Sequence, residues 1–344
     1  MSFLRVLIRR ARVRMAHLTS AGEAPGAEAN HLDTLRERLR AAEREIRMLR
    51  SVIAVDQAQR NAWERLESTL DTAAIESTVA QALEAAQLDV VPLPHLILRG
   101  LLPPATYAAL LDAVPPDDVF PDRDPIKQNV KIGQLHTAPV WTRKALEYLE
   151  DTIIRDVLTP ALVRRMQPCL ESMYAEEYGG SLGARVAALS HGATAGRLML
   201  RRPGYRLEPH LDPGRVAMTC LIYLARPGDD PRYGTQLFSV DGLSVSRSAK
   251  TFYPREHGCV CRAVKSVPFE PNSALVFLNG GGAHGAEIPT DAAKDTRRFS
   301  YQFYISPDAA ALEALLTASP ETEGAGSRAP EACLVRLKGD TTRP

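Results

Sequence analysis

Gly204-Tyr205-Arg206-Leu207-Glu208-Pro209-His210-Leu211-Asp212 is the stretch on which the reading of this chain turns. On an extended strand, residues i and i+2 point to the same face, so His210 and Asp212 can converge on one ion. Two histidines and one carboxylate form the facial triad that holds non-haem Fe(II) and leaves positions open. His284 supplies the second histidine, from a strand expected to pack nearby, and the pair Arg297-Arg298 beyond it offers a cation for a dicarboxylate. An H-x-D triplet alone is weak, because a chain of 344 residues contains several by chance. Its weight comes from its neighbours.

Those neighbours read as short strands divided by Gly and Pro. Arg197–Leu200 is one, broken by Pro203-Gly204, and Tyr205–His210 runs into the turn signal Asp212-Pro213-Gly214. Val216–Leu224 is a β-rich apolar run with the character of a buried strand, as is Ser273–Leu278, which leads through Asn279-Gly280-Gly281-Gly282 to His284. Arg298–Ile305 alternates polar and apolar residues, the pattern of a half-buried strand. Strands of this kind predict an α+β chain with a double-sheet jelly roll, or double-stranded β-helix, of the cupin-like type.

The segment from Pro92 to Ser306 resembles the Fe(II)/2-oxoglutarate-dependent oxygenases, on their prolyl-4-hydroxylase-like side. The resemblance rests on GYRLEPHLD (204–212), TCLIYL (219–224), YGTQLF (233–238), ALVFLNGGGAHG (274–285), RRFSYQFYIS (297–306) and, upstream, PLPHLILRGLLPPATYAALLDAVP (92–115). It implies that His210, Asp212 and His284 ligate Fe(II), and that 2-oxoglutarate and O2 are co-substrates, with ascorbate as a reductant. The distal carboxylate of 2-oxoglutarate would pair with an arginine, whose fork binds carboxylates bidentately. Arg298, followed by Phe299, fits the family pattern best. Arg297 stays a candidate because the gap from His284 is longer than usual, and Lys294 ranks third. Tyr223 would hydrogen-bond the same carboxylate, or else be a core tyrosine. The chain departs from the family at Leu200 and Arg201, where a tyrosine is common, so prolyl hydroxylases are no guide to its substrate.

The resemblance also implies the reaction: oxidative decarboxylation to succinate and carbon dioxide, coupled to hydroxylation of a small molecule or a peptidyl side chain. No general base is needed, so His136, His191 and His257 carry no catalytic role beyond that of ordinary surface or structural histidines. Substrate contacts are expected at the mouth, from Asn129, Lys131, Gln134 and His136 and from Arg201, Arg202 and Tyr205, with Gly228–Tyr233 as a lid. The alternatives are a jelly roll that has lost its chemistry and serves as a scaffold, and a cupin-type metal enzyme that does not use 2-oxoglutarate.

Composition bounds the rest. The formal net charge of +1 creates no basic field, so no nucleic-acid partner is expected. Five cysteines, without a second pair to complement Cys259-Val260-Cys261, suit a reducing cytoplasm better than a disulfide framework or a zinc site. Residues 1–30 are basic and expected to be disordered; their arginines interrupt any signal-peptide core, and no run reaches the length of a membrane span. Across 31–90 a helical region is expected. Leu32, Leu35, Leu39, Ala42, Ile46, Leu49 and Ile53 form a heptad seam that fails at Asp56 and Arg60. It reads as a parallel or antiparallel coiled coil making a homodimer through residues 32–53, or as a helix packed on its own chain. The catalytic domain spans 92–306. Within 307–344 a helix over Asp308–Thr317 precedes a Ser-, Pro-, Gly- and Glu-rich tail expected to be disordered.

Overall fold

The computed structural model describes residues 25–120, 124–135, 138–194, 196–243 and 250–318. Residues 1–24 of the basic N-terminus, His136 and the C-terminal tail lie outside them, whereas residues 25–30, expected to be disordered, form the first turns of a helix. The chain divides into two compact units, Met1–Ala58 and Gln59–Pro344. Helix α1 (Pro25–Glu67) is longer than the heptad seam, because Asp56 and Arg60 end the apolar stripe without breaking the helix. It stops before Asp71, whose carboxylate accepts from the Ala74 amide and caps α2 (Thr72–Ala85).

In the second unit, β1 (His95–Arg99) and α3 (Pro104–Asp112) make a strand-then-helix pair within the stretch 92–115. After β2 (Lys127–Val130) comes one continuous helical stretch: α4 (Val140–Tyr148), a π-helical middle (Leu149–Leu158) and α5 (Thr159–Tyr178), followed by α6 (Gly180–Ala187). The remaining strands are β3 (His191–Ala193), β4 (Arg197–Arg201), β5 (Arg206–His210), β6 (Met218–Tyr223), β7 (Thr235–Asp241), β8 (Val260–Val267), β9 (Ser273–Leu278), β10 (Gly282–Glu287) and β11 (Arg298–Pro307). Helix α7 (Ala309–Thr317) follows, where a helix was expected.

Two antiparallel sheets result. The larger runs β1-β9-β6-β11-β4-β2, with β3 pairing β11; the smaller runs β5-β10-β7-β8. From β4 onward the chain alternates between them, except at the β7–β8 hairpin. This alternation is the double-sheet winding that the sequence predicts.

Register decides which side chains meet. Directly paired residues share a face, so Arg298, Ser300, Gln302 and Tyr304 line up with Arg201, Met199 and Arg197 on β4 and with Tyr223, Leu221 and Thr219 on β6. These face the smaller sheet: the Tyr223 hydroxyl donates to Thr235 Oγ1 of β7 at 2.8 Å. The opposite face carries Leu198, Leu200, Phe299, Tyr301, Phe303, Cys220, Ile222 and Val276, buried in one apolar cluster with Leu146, Ile153, Leu158, Leu162, Met166 and Leu170 of the helices. Thus β11, expected to be half-buried, is buried on both faces: one lies under helices and the other against the second sheet.

Candidate metal centre

His210 ends β5, and His284 is its direct cross-strand partner on β10, with ring centroids 4.1 Å apart. The pairing slips between His284 and Ala286. A Cβ on Gly285 would lie 2.7 Å from the Leu207 carbonyl oxygen, so glycine lets the strands close at the irregularity that aims His284. Asp212 follows β5, kept extended by the bridge between Leu211 and Phe252. Its carboxylate stands 4.0 Å from His210 Nε2 and 3.7 Å from His284 Nε2. One ligand atom from each of the three residues lies within 4.8 Å of the others, and all three side chains are buried. Among the described residues this is the cluster able to hold an ion; Cys259 instead contacts the Gly242 carbonyl, and His257 stacks on Phe252.

Two of the three ligands, His210 and Asp212, are oriented by hydrogen bonds from neighbours. His210 Nδ1 lies 2.9 Å from the Glu208 carbonyl, which places the ring proton there and turns the Nε2 lone pair toward Asp212. The Thr219 hydroxyl donates to Asp212 Oδ2 at 2.6 Å, and the Tyr304 hydroxyl donates to Oδ1 at 3.2 Å. Thr219 and Tyr304 are themselves cross-strand partners, so one rung of the larger sheet fixes the carboxylate. The Asn279 side-chain amide holds the turn behind it, donating to the carbonyls of Asp212, Pro213 and Val216. Sequence reading singled out none of Thr219, Tyr304 and Asn279 for these roles.

Burial drives the His284 pKa down to about 3 and lowers that of His210, so both rings are neutral, the form that binds metal. Burial alone would raise Asp212, but the facing histidines and the Thr219 and Tyr304 hydroxyls outweigh it and hold the carboxyl low. Two neutral imidazoles and one ionised carboxylate are the donor set for a divalent transition metal with open positions.

A second polar group lies on the inner face of the larger sheet. Arg298 and Arg201 are cross-strand partners, each 3% exposed. Arg298 Nη2 donates to Thr235 Oγ1 at 3.3 Å, and its guanidinium sits over the Tyr223 and Phe269 rings, 5.6 and 5.5 Å from their centroids. Arg201 bonds to the carbonyls of Gln128 and Leu200 and to Asn129 Oδ1, and lies 4.8 Å over Tyr205. Arg298 Nε, Arg201 Nε and Ser300 Oγ are buried without a hydrogen-bond partner. Buried guanidiniums with only neutral partners, beside unsatisfied donors, are the complement of a carboxylate.

Tyr223 and Arg298 are thus brought together as expected. Arg297 is turned away: its Nε donates to Asp117 Oδ2 at 2.6 Å, and Arg202 Nη2 reaches the same oxygen at 3.0 Å. Adjacent strand residues face opposite ways, which removes Arg297 from the inner face. The backbone carbonyl of Lys294 accepts from Arg297 in the loop before β11. Of the expected substrate contacts, Asn129, Arg201 and Tyr205 form one inward cluster and bind each other, whereas Lys131 is exposed past the end of β2. Within Gly228–Tyr233, Asp230 pairs with Arg232 at a 3₁₀ turn. A cavity of about 610 Å³ borders Leu211, Asp212, Phe252 and Asn279, and Cys169 and Met173 of α5, none of them expected to contact substrate.

No family model matches the chain, and no curated protein matches it. Solved structures do. A prolyl-4-hydroxylase from Pseudomonas putida is 18% identical, over 68% of this chain and 99% of that one, with a TM-score of 0.34. A prolyl hydroxylase from Trichoplax adhaerens, in complex with a peptide fragment of the hypoxia inducible factor oxygen degradation domain, is 16% identical over 72% and 93%, with a TM-score of 0.36. An oxidoreductase of the 2OG-Fe(II) oxygenase family from Burkholderia pseudomallei is 13% identical over 67% and 89%, also at 0.36. The Burkholderia pseudomallei structure carries in its name the superfamily that the motifs between Gly204 and Ser306 resemble.

Proposed function

We propose that the chain is an Fe(II)/2-oxoglutarate-dependent dioxygenase that hydroxylates an unactivated C–H bond of a small molecule or peptidyl side chain, releasing succinate and carbon dioxide. The activity is placed in residues 92–306. The observation that carries this reading is the pairing of a buried, neutral-His, ionised-Asp triad with a buried cation, Arg298, that has no acidic partner among the described residues. His210, Asp212 and His284 would hold the metal. Arg298 would take the distal carboxylate of the co-substrate, with Tyr223 and Thr235 setting the guanidinium's position. When bound, iron and the keto acid supply the oxidising power drawn from O2. The chain's own part is to orient and to exclude water. Thr219 and Tyr304 keep the Asp212 carboxylate from turning, and Phe277, of the apolar cluster that includes Leu221 and Leu237, packs its ring 4.5 Å from that of His284. The same reading includes self-association through residues 32–53.

The test is anaerobic titration with Fe(II) and then 2-oxoglutarate, following the visible charge-transfer band of a keto acid chelated to ferrous iron. The band should appear in the parent and vanish in His210→Ala. Iron binding without the band would leave a cupin-type enzyme as the better reading, and absence of iron binding would leave a scaffold.

A further inference from the structure

The first unit carries an apolar stripe that its own helix leaves in water. Leu39, Ile46 and Ile53 of α1 are 60%, 48% and 51% exposed. They recur at seven-residue steps, the a positions of a heptad pattern, and Leu35, Ala42 and Leu49 fill the d positions between them. A stripe of this length on a helix of 43 residues exceeds the scattered apolar side chains ordinary for a surface.

We propose that this stripe is covered by a second copy of the chain, in a parallel, in-register, two-stranded coiled coil. The inference rests on the self-association reading above and adds its orientation and register. Charge complementarity argues for it first. With these a and d positions, Arg38 and Glu45 occupy g, and Glu43 and Arg50 occupy e. In the parallel in-register pair each g residue meets the e residue five positions on in the other copy, so Arg38 meets Glu43 and Glu45 meets Arg50, each contact made twice by symmetry. Every such pair is opposite in sign.

The antiparallel alternatives do less well. Centred between Ala42 and Ile46, an antiparallel pair sets Glu43 against Glu43 and Glu45 against Glu45. Centred between Leu39 and Ala42, it relieves that repulsion but puts Ile53 opposite residue 28, in the first turn and outside the stripe. The parallel register covers Leu39, Ile46 and Ile53 together, each meeting itself, and sets Arg38 against Glu43 and Glu45 against Arg50 at the same time. Within the parallel arrangement, isoleucine at a with leucine at d, as at Ile46, Ile53, Leu35 and Leu49, favours two strands over three or four. The seam ends where the sequence says it should. Asp56 falls on the next d position, and Arg60, on the next a position, stacks on Trp141 at 5.2 Å within the second unit. From Leu35 to Ile53 the paired length is about 28 Å, a short seam whose dimer is expected to depend on concentration.

The experiment uses the full chain. Light scattering after size exclusion should give a dimer at tens of micromolar for the parent and a monomer for Ile46→Lys, with circular dichroism and metal binding unchanged. Ile46→Cys should form a disulfide with itself under mild oxidation, above the blank set by the native cysteines, because residue 46 meets residue 46 only in the parallel register. Glu45→Arg should raise the dimer's dissociation constant about tenfold, and Glu45→Arg with Arg50→Glu should restore it to within about threefold. A monomeric parent, or an Ile46→Lys variant that stays dimeric, overturns the proposal. A dimer lost in Ile46→Lys whose cysteine links instead to Leu35→Cys in a mixed sample overturns the parallel register and leaves self-association standing. None of these outcomes bears on the oxygenase reading, which the iron titration tests separately.

Discussion

Replacing Arg298 with glutamine should separate the co-substrate anchor from the metal site. In the structure its guanidinium is buried, donates once to a neutral hydroxyl, Thr235 Oγ1, and holds Nε unsatisfied over two aromatic rings. A carboxylate taken up there gains two charge-assisted hydrogen bonds, each worth about 1.5–3 kcal/mol. Glutamine keeps a donor but loses the charge and the fork, so about 3–4 kcal/mol should go, a weakening of about 10²- to 10³-fold in 2-oxoglutarate affinity. Iron affinity should not change, because Arg298 touches no ligand. The unliganded variant should also melt no lower than the parent, since an uncompensated buried cation is removed. The assay is anaerobic titration of the iron-loaded protein, read by the charge-transfer band, with Arg297→Gln alongside. Arg297 lies on Asp117, and its loss should shift the affinity by no more than about threefold. The reasoning is refuted if Arg298→Gln stays within that same range, or if Arg297→Gln weakens binding as strongly.

Thr219→Val removes the 2.6 Å bond that fixes Asp212, and iron affinity should fall about 10- to 100-fold while the fold persists; an unchanged affinity by competition with a chelator would show that the carboxylate needs no such support. In Gly285→Ala the new methyl would meet the Leu207 carbonyl at 2.7 Å, so a loss of about 1–3 kcal/mol is expected in urea unfolding, together with weaker iron binding through His284. His191 is held neutral by burial, with Nδ1 at the Leu189 carbonyl and Nε2 at the Tyr174 hydroxyl, and its pKa is lowered. The unfolded chain then takes up the proton first as pH falls. The stabilisation is therefore complete above the unfolded value near 6.5 and is lost below it. His191→Gln should flatten the dependence of the urea midpoint on pH between about 5 and 7; an unaltered slope would mean the ring protonates freely in the fold.

Much of this was legible in the chain because strands buried on both faces leave a strong local mark. Ser273–Leu278 appears in the structure with the bounds read from sequence, and Arg298–Ile305 with only its end extended. His210 and Asp212 could be paired from spacing alone. The choice between Arg298 and Arg297 could be framed as a matter of strand parity, although the longer loop left it open until the register was known. The helical run from Val140 to Ala187 went unread for a physical reason. Its middle winds as a π-helix and Pro168 lies inside α5, so the apolar residues do not hold one 3.6-residue period. Thr219 and Tyr304 were beyond reach for another reason. They lie far apart in sequence, and only the pairing of β6 with β11 reveals that both hydroxyls end on one carboxylate.

The inner face of the larger sheet shows what sequence could not express. Arg197, Arg201 and Arg298 all project inward, and in each case the partners are neutral: Gln302 and Tyr304, then two carbonyls and Asn129, then Thr235. The outward arginines of the same strand ends, Arg202 and Arg297, share Asp117. In a linear sequence the two sets look alike, as RR at 201–202 and RR at 297–298. Only the alternation of the strands sorts one member of each pair toward an acid and the other toward a space with no acid but Asp212 among the residues described. Burial lowers the pKa of Arg201, and the neighbouring Arg298 and Arg197 add to the shift in the same direction. Such an arrangement is costly in the unliganded protein and favourable once anions enter. On the proposed reading a dicarboxylate would satisfy Arg298, and Arg201 is its direct neighbour with a donor still unused. Arg201→Gln should therefore weaken 2-oxoglutarate by about tenfold, less than Arg298→Gln, because two of the Arg201 nitrogens are already committed to Gln128, Leu200 and Asn129. If the affinity is unchanged, the second guanidinium serves the strand pairing of β2 with β4 and takes no part in holding the co-substrate.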